Sequence, residues 1–163
     1  NIFFLDKTKI QKYLDTINII DNYTVIKRYP SSLEITINKA NILANVFSKD
    51  NFFLLGSNGK LIQTESQRNG LLNIFGEFDK DSFFNLLEVF DDSKFNLLEI
   101  KNLYFFKSGR WDIETNSGIL IKLPKSNLKD RLDLSFELLE KNKLEEIKVL
   151  DLRQNNQVII NGK

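Results

Sequence analysis

Cysteine, histidine and methionine are all missing from this chain of 163 residues. Without cysteine there is no disulfide, no thiolate nucleophile and no zinc–thiolate site. Without histidine the commonest metal ligand and general base is gone. No remaining side chain has an unperturbed pKa between about 5 and 8, which argues against a simple pH switch. The lack of Met even at residue 1 sets the expectation that the chain is a trimmed piece of a longer protein. Charge of one sign is lacking too. The 23 basic and 22 acidic residues are interspersed for a net charge of +1, so the one-sided field of a nucleic-acid binder is absent. Long apolar runs are also missing. The longest, such as residues 2–5 and 158–160, fall far short of the roughly 20 residues that span a bilayer.

What remains is 42% hydrophobic and 28% charged, an ordinary balance for a globular protein that can bury a real core. Fourteen Phe residues carry most of the aromatic content and read as core material. The heavy use of Lys, Asn, Ile and Phe is read as the background of an AT-rich genome. The length allows one ordinary domain or two small ones.

Periodicity favours two. Over residues 6–17, Ile10, Tyr13, Leu14 and Ile17 keep the spacing of a helix face, with Asp6 and Thr8 as candidate caps. Residues 23–29 and 33–37 alternate as strands around a Pro30-Ser31-Ser32 turn, and Pro30 excludes a central strand there. From residue 42 the pattern changes to short strands over 42–47, 51–55 and 60–63. The tight turn Gly56-Ser57-Asn58-Gly59 joins the last two. Residues 71–75 form another apolar run closed by Gly76. Residues 81–90 predict a helix with Phe83, Phe84, Leu87 and Phe90 on one face. Residues 94–106 and 110–115 predict strands, and Asn116-Ser117-Gly118 turns into a strand over 119–123 that Pro124 ends. A second amphipathic helix follows over 128–139, then strands over 147–152 and 158–160. The expected fold class is α+β: a small helix-plus-hairpin domain over 1–41, then a larger strand-rich domain with two helices over 42–163.

Residues that could carry chemistry are few. The acid pairs Asp91-Asp92 and Glu145-Glu146 are neighbours in sequence, so their side chains diverge, and both lie at element ends where solvated acids are the norm. Asp112 and Glu114 share one strand face with nothing nearby to complete a glycosidase or metal site. Gly56-Ser57-Asn58-Gly59-Lys60 lacks the spacing of a phosphate loop and is followed by a strand instead of a helix N-terminus. Arg110 beside Trp111, the only Trp, reads as a core anchor with a charged neighbour. No nucleophile, base and orienting group come together, and the expectation is a protein that is not an enzyme and needs no cofactor or metal.

An ordered series of motifs resembles the FtsQ/DivIB cell-division family. Val25-Ile26-Lys27-Arg28-Tyr29-Pro30-Ser31-Ser32-Leu33-Glu34-Ile35-Thr36-Ile37 looks like the V-x-K/R-x-x-P-x-x-L-x-I-x-I signature of a POTRA domain. Ala44, the phrase Leu55-Gly56-Ser57-Asn58-Gly59-Lys60-Leu61-Ile62 and the Ile74-Phe75-Gly76 element resemble the start of the family's β domain. Arg110-Trp111-Asp112-Ile113, the strand Ile119-Leu120-Ile121-Lys122-Leu123, Arg131-Leu132 and Leu150-Asp151-Leu152-Arg153 repeat the order of its end. The sequence departs from the pattern at Leu71-Leu72, which lacks the family's Pro, and at Pro124, where Gly is usual. Gln154 stands where a Tyr is usual, and the tip reads Asn155-Asn156-Gln157 where a Gly-containing turn is common.

The resemblance implies a fold and a role. The fold would be a POTRA domain lacking its first strand over 1–41 and an FtsQ-type β domain over 42–163. The parent would be a single-pass inner-membrane protein of the division septum, with its span upstream of Asn1 and this part in the periplasm. Its implied partners are the coiled-coil division proteins FtsB and FtsL, bound by strand addition at an exposed edge. Partner-binding would fall on Leu152, Arg153, Gln154, Asn155, Asn156, Gln157, Val158 and Ile159. Recruitment of other division proteins would fall on Val25 and Lys27 of the POTRA hairpin. The alternative is a POTRA-bearing component of outer-membrane assembly or secretion, which predicts tandem POTRA copies or a downstream barrel.

Overall fold

The computed structural model describes residues 6–48, 51–141, 147–154 and 157–162. The N-terminal elements are α1 (Lys7–Asp15), β1 (Ile20–Arg28) and β2 (Ser32–Lys39). Asp6 starts α1 by accepting from the Thr8 backbone N–H at 2.9 Å. The antiparallel β1–β2 hairpin keeps Val25 opposite Ile35 and Lys27 opposite Leu33. Leu14, Ile20 and Val25 form the small core between helix and hairpin.

Nine further strands make one mixed sheet. In chain order they are β3 (Ile42–Ser48), β4 (Asn51–Gly56), β5 (Leu61–Thr64), β6 (Leu72–Phe75), β7 (Ile100–Phe106), β8 (Arg110–Thr115), β9 (Leu120–Lys122), β10 (Val149–Gln154) and β11 (Gln157–Asn161). Across the sheet the order is β11-β10-β9-β8-β7-β6-β3-β4-β5. The helices α2 (Lys80–Asp92) and α3 (Leu128–Lys141) connect the parallel neighbours β6–β7 and β9–β10. Parallel neighbours need such a crossover, because a tight turn reverses direction. Asp79 caps α2 by accepting from Ser82 N–H at 2.8 Å. Both helices pack on the same core, so one sheet face is covered by helices. The fold class is α+β, as the sequence predicts.

Strand pairing lines up residues in rungs across the sheet. On the helix side one rung runs Val46–Ile74–Leu103–Ile113–Ile121–Leu150 across six strands. None of the six exceeds 2% exposure. Trp111, buried on the same side, packs on Phe105, Phe78 and Phe83 and donates its indole N–H to Ser82 Oγ at 3.0 Å, joining β8 to the first turn of α2. At Gly76 the chain takes φ +103°, and an added Cβ would lie 2.3 Å from the Phe105 carbonyl oxygen, so only glycine lets β6 end beside β7.

The opposite face carries a row of amides. Asn45, Asn73 and Asn102 stand side by side on β3, β6 and β7, with Glu114 next on β8. Asn45 donates to Asn73 (2.9 Å), Asn73 to Asn102 (3.0 Å) and Asn102 to the Glu114 carboxylate (2.9 Å). The chain from β5 to β6 crosses over the start of this row, where Arg68 N–H donates to Asn45 Oδ1 and Arg68 C=O accepts from Asn45 Nδ2.

Two expectations need correction. The strand predicted over residues 94–106 begins only at Ile100, after a short 3-10 turn at Leu97–Glu99. Asn96 Oδ1 accepts from Leu98 N–H (2.9 Å) and Ser93 Oγ accepts from Phe95 N–H (3.2 Å). These local side-chain bonds compete with the ladder and win before Ile100. The buried face of α2 is Phe83, Leu86 and Phe90, while Phe84 and Leu87 are only partly covered.

The rungs predict unequal costs along one row. Leu103→Ala, at the centre of the helix-side rung, should lose about 2–5 kcal/mol in urea unfolding. Ile160→Ala, where the same rung meets the outer edge, should lose under about 1 kcal/mol.

Candidate functional site

The free end of the sheet is β11. Its inner edge pairs with β10 through Val149–Asn161, Leu150–Ile160 and Asp151–Ile159. Among the described residues no strand adjoins its outer edge. The helix-side rung that is sealed at Leu150 continues to Ile160, which is 45% exposed. The open-face rung Phe47–Phe75–Tyr104–Asp112–Lys122–Asp151 likewise continues to Ile159, 40% exposed. Among the described residues both rungs stop at β11 on a partly exposed isoleucine, one on each face.

Arg153 lies at the same end. Its Nε donates to both carboxylate oxygens of Asp151 (2.8 and 3.0 Å) and Nη2 donates to Oδ2 (2.5 Å). The Asp151 carboxylate is held below the ordinary range, chiefly by these bonds. One side of the guanidinium fork is thus fixed, and Arg153 stays exposed on a shallow recess formed with Gln154, Gln157 and Ile159. A fixed, always-charged fork is suited to a carboxylate arriving from outside.

The neighbouring open face holds two carboxylates with opposite behaviour. Asp112 is buried, and burial pushes its pKa up although Arg110 Nε donates to it at 3.1 Å. Arg110 in turn lies over the Phe106 ring at 4.4 Å. Glu114 accepts from Tyr104 Oη (2.6 Å) and Asn102 Nδ2, and these bonds hold its pKa down. Tyr104 shifts upward, first through burial and then through Glu114. Arg110 pairs with Asp112, and Tyr104 and Asn102 pair with Glu114, as two separate sets along one open cleft that Lys122 also lines. Among the described residues no three His, Cys, Asp or Glu side chains gather as a metal cage would require.

The residues singled out in the sequence fall as follows. Leu152 is fully buried in the core and contributes its backbone to β10. Arg153, Gln154, Gln157 and Ile159 are exposed and share the recess, while Val158 is half-buried against the core. Asn155 and Asn156 lie outside the described residues. Val25 is buried under α1, and Lys27 beside it is half-buried on the hairpin. Sequence reasoning missed Asp151 as the partner of Arg153. The spacing of the two, two apart on one strand, could have shown it, since such residues share a face.

The sequence model of the family described as "Cell division protein FtsQ/DivIB, C-terminal" matches residues 44–153. None of the curated proteins matches the chain. Among solved structures similar to it is the major extracytoplasmic domain of the trans isomer of the bacterial cell division protein DivIB from Geobacillus stearothermophilus. The identity is 17%, the match covers 64% of this chain and 98% of that chain, and the TM-score is 0.42.

Glu114 supplies a pH test. A carboxylate whose folded pKa is depressed stabilises the fold above its unfolded value and loses that contribution as pH falls through the folded one. Glu114→Gln should therefore cost about 1.5 kcal/mol at neutral pH, as for a hydrogen-bonded charge, and progressively less as pH falls below the ordinary glutamate range. Urea midpoints measured across that range check it. Asp112 has the reverse sign: its contribution is present at low pH and is lost as pH rises through its raised folded pKa.

Proposed function

The chain belongs to the FtsQ/DivIB family of cell division proteins, and from that premise we propose that it is a non-catalytic division scaffold that binds its partners by strand addition at β11. We assign residues 1–41 to a POTRA domain and 42–163 to an FtsQ-type β domain. The parent is a single-pass inner-membrane protein with this part in the periplasm at the septum, and its partners are FtsB/FtsL-like division proteins. Among the described residues no helix is long and apolar enough to cross a membrane.

One observation carries the reading. Two rungs that are complete across the sheet end on exposed Ile159 and Ile160 at the outermost strand. An incoming strand would extend the backbone ladder and cover both side chains at once. The other edge of the sheet is less suited. β5 spans only Leu61–Thr64, and its Leu61 carbonyl already accepts from Asn18 Nδ2 at 2.7 Å. Arg153, anchored by Asp151, adds a charge-selective contact beside the ladder. A partner segment fitting this edge has an apolar residue against Ile160 and a carboxylate within reach of Arg153.

The hairpin of the first unit is the candidate recruitment surface, with Lys27 as its charged side chain and Val25 fixing the strand from below. Lys27→Glu should reduce septal localisation of the full-length protein in living cells, and localisation at the unaltered level would count against this assignment.

Two substitutions test the edge. Ile159→Pro removes one backbone N–H and disturbs the outer strand, and loss of about one ladder bond with its contacts should weaken partner binding about tenfold. Arg153→Glu should weaken it severalfold with little change in stability, because an exposed ion pair contributes little to the fold. Both are measured by calorimetric titration with the extracytoplasmic segment of the coiled-coil partner, after circular dichroism establishes the fold. Unchanged affinity in both variants overturns strand addition at β11.

A further inference from the structure

The turn between β4 and β5 reaches back to the first unit. Asn58 Nδ2 donates to the carbonyls of Asn18 and Ile20, each at 3.0 Å, and its Oδ1 accepts from Lys60 N–H at 3.1 Å. Two carbonyls on one side and an N–H on the other fix which atom of the amide is the donor. Asn18 answers in the reverse direction by donating its own Nδ2 to Leu61 C=O at 2.7 Å. Below this pair the backbone is bonded as well. Ala40 N–H donates to Ile19 C=O (2.9 Å), Ser57 N–H to Asn41 C=O (2.8 Å), and Asn41 N–H to Ser57 Oγ (3.1 Å). Gly56 makes room for the arrangement, since an added Cβ would sit 2.7 Å from Asn58 Oδ1 and 3.2 Å from Ala40 Cβ.

Only Ala40 and Asn41 separate β2 from β3, so the chain itself would act as a hinge with little to limit its swing. The geometry points to the reciprocal Asn18–Asn58 pair as an orientation lock that fixes the N-terminal unit on the nine-stranded sheet. The bonds run from side chains to backbone carbonyls, so they constrain direction as well as distance, which apolar contact alone does not. The lock sits at the β5 end of the sheet. The free strand β11 lies eight strand spacings away, about 38 Å at about 4.8 Å each. A locked junction therefore holds β11 at a set height and angle from whatever the N-terminal unit is attached to. A free hinge would let that edge sweep a wide volume. The inference concerns the junction only and stands whether or not β11 is the partner edge.

The absence of native cysteine makes the test clean. Cysteines introduced at exposed Lys12 on α1 and exposed Glu88 on α2, labelled with nitroxides, report the distance between the units by pulsed dipolar spectroscopy. With Asn18 and Asn58 intact a single narrow distribution is expected. Asn58→Asp keeps the acceptor for Lys60 N–H but replaces the donor that faces two carbonyls. It should widen the distribution at least about twofold with unchanged circular dichroism and unchanged Trp111 fluorescence. Asn18→Ala leaves the Gly56–Gly59 turn untouched and gives a second reading should the first variant fold poorly; it should widen the distribution as well. Distributions as narrow as the parent's in the folded variants overturn the lock.

Discussion

The register of the large sheet rests on the buried amide row. Asn45 and Asn102 are 2% and 9% exposed, and each amide from Asn45 to Asn102 spends its donor on the next strand, ending at Glu114. A slip of one residue at β3, β6 or β7 would turn an Asn toward the helices and leave it facing apolar side chains. A buried polar group without a partner costs about 1–3 kcal/mol, and one slip would strand the groups on both neighbours too. Apolar alternation alone tolerates a slip by two, because it keeps every side chain on its face. The amide row does not, since its members must meet side by side. Polar residues inside this sheet therefore define the pairing, and the apolar rung beside them supplies the stability.

A fixed register decides what each end of the sheet presents. At one end the turn after β4 folds onto the first unit, and Asn18 occupies the Leu61 carbonyl. At the other, β10 and β11 follow α3, and the same rungs arrive at Ile159 and Ile160 with no further strand among the described residues. The two edges differ because one is closed by this chain's own N-terminal residues. Sheets with open edges risk indiscriminate pairing. Here the Asp151–Arg153 ion pair sits beside the open edge, and charge at an edge discourages indiscriminate pairing.

Much of the local structure was legible in the sequence, and little of the long-range geometry was. Alternation around Pro30 and the Asn116-Ser117-Gly118 turn gave both hairpins, because turn chemistry is local. The α2 helix was clear from its Phe spacing, but which of Phe84, Leu86 and Leu87 lies deepest depends on the sheet beneath it. Ile100 was correctly part of a strand, whereas Lys94 to Glu99 was not, because Ser93 and Asn96 divert the backbone into side-chain bonds. Nothing in the sequence says that Asn45, Asn73 and Asn102 are neighbours; they are 28 and 29 residues apart and meet only through two parallel pairings. Asn58 read as a turn residue, which it is, but its amide also serves a loop 40 residues earlier. The motif ending at Arg153 lies at the β11 end of the sheet, and the exposure of both isoleucines there emerges only from the strand order.

Under the proposed strand addition, energetics divide the work among the parts of the β11 edge. Net backbone hydrogen bonds contribute about 0.5–1.5 kcal/mol each, while micromolar binding requires about 8 kcal/mol after the cost of association. A strand of five residues exposes only some of its N–H and C=O groups outward, so the ladder alone falls short. Ile159 and Ile160 make up part of the difference, since a fully covered side chain of that size gains about 1.5–3 kcal/mol, less here because each is already half covered. Neither term distinguishes one β-forming segment from another. Arg153 does, and it can do so at little entropic cost because Asp151 orders its side chain before any partner arrives. On this reading the ladder sets the register, the isoleucines supply affinity, and the anchored guanidinium selects the segment.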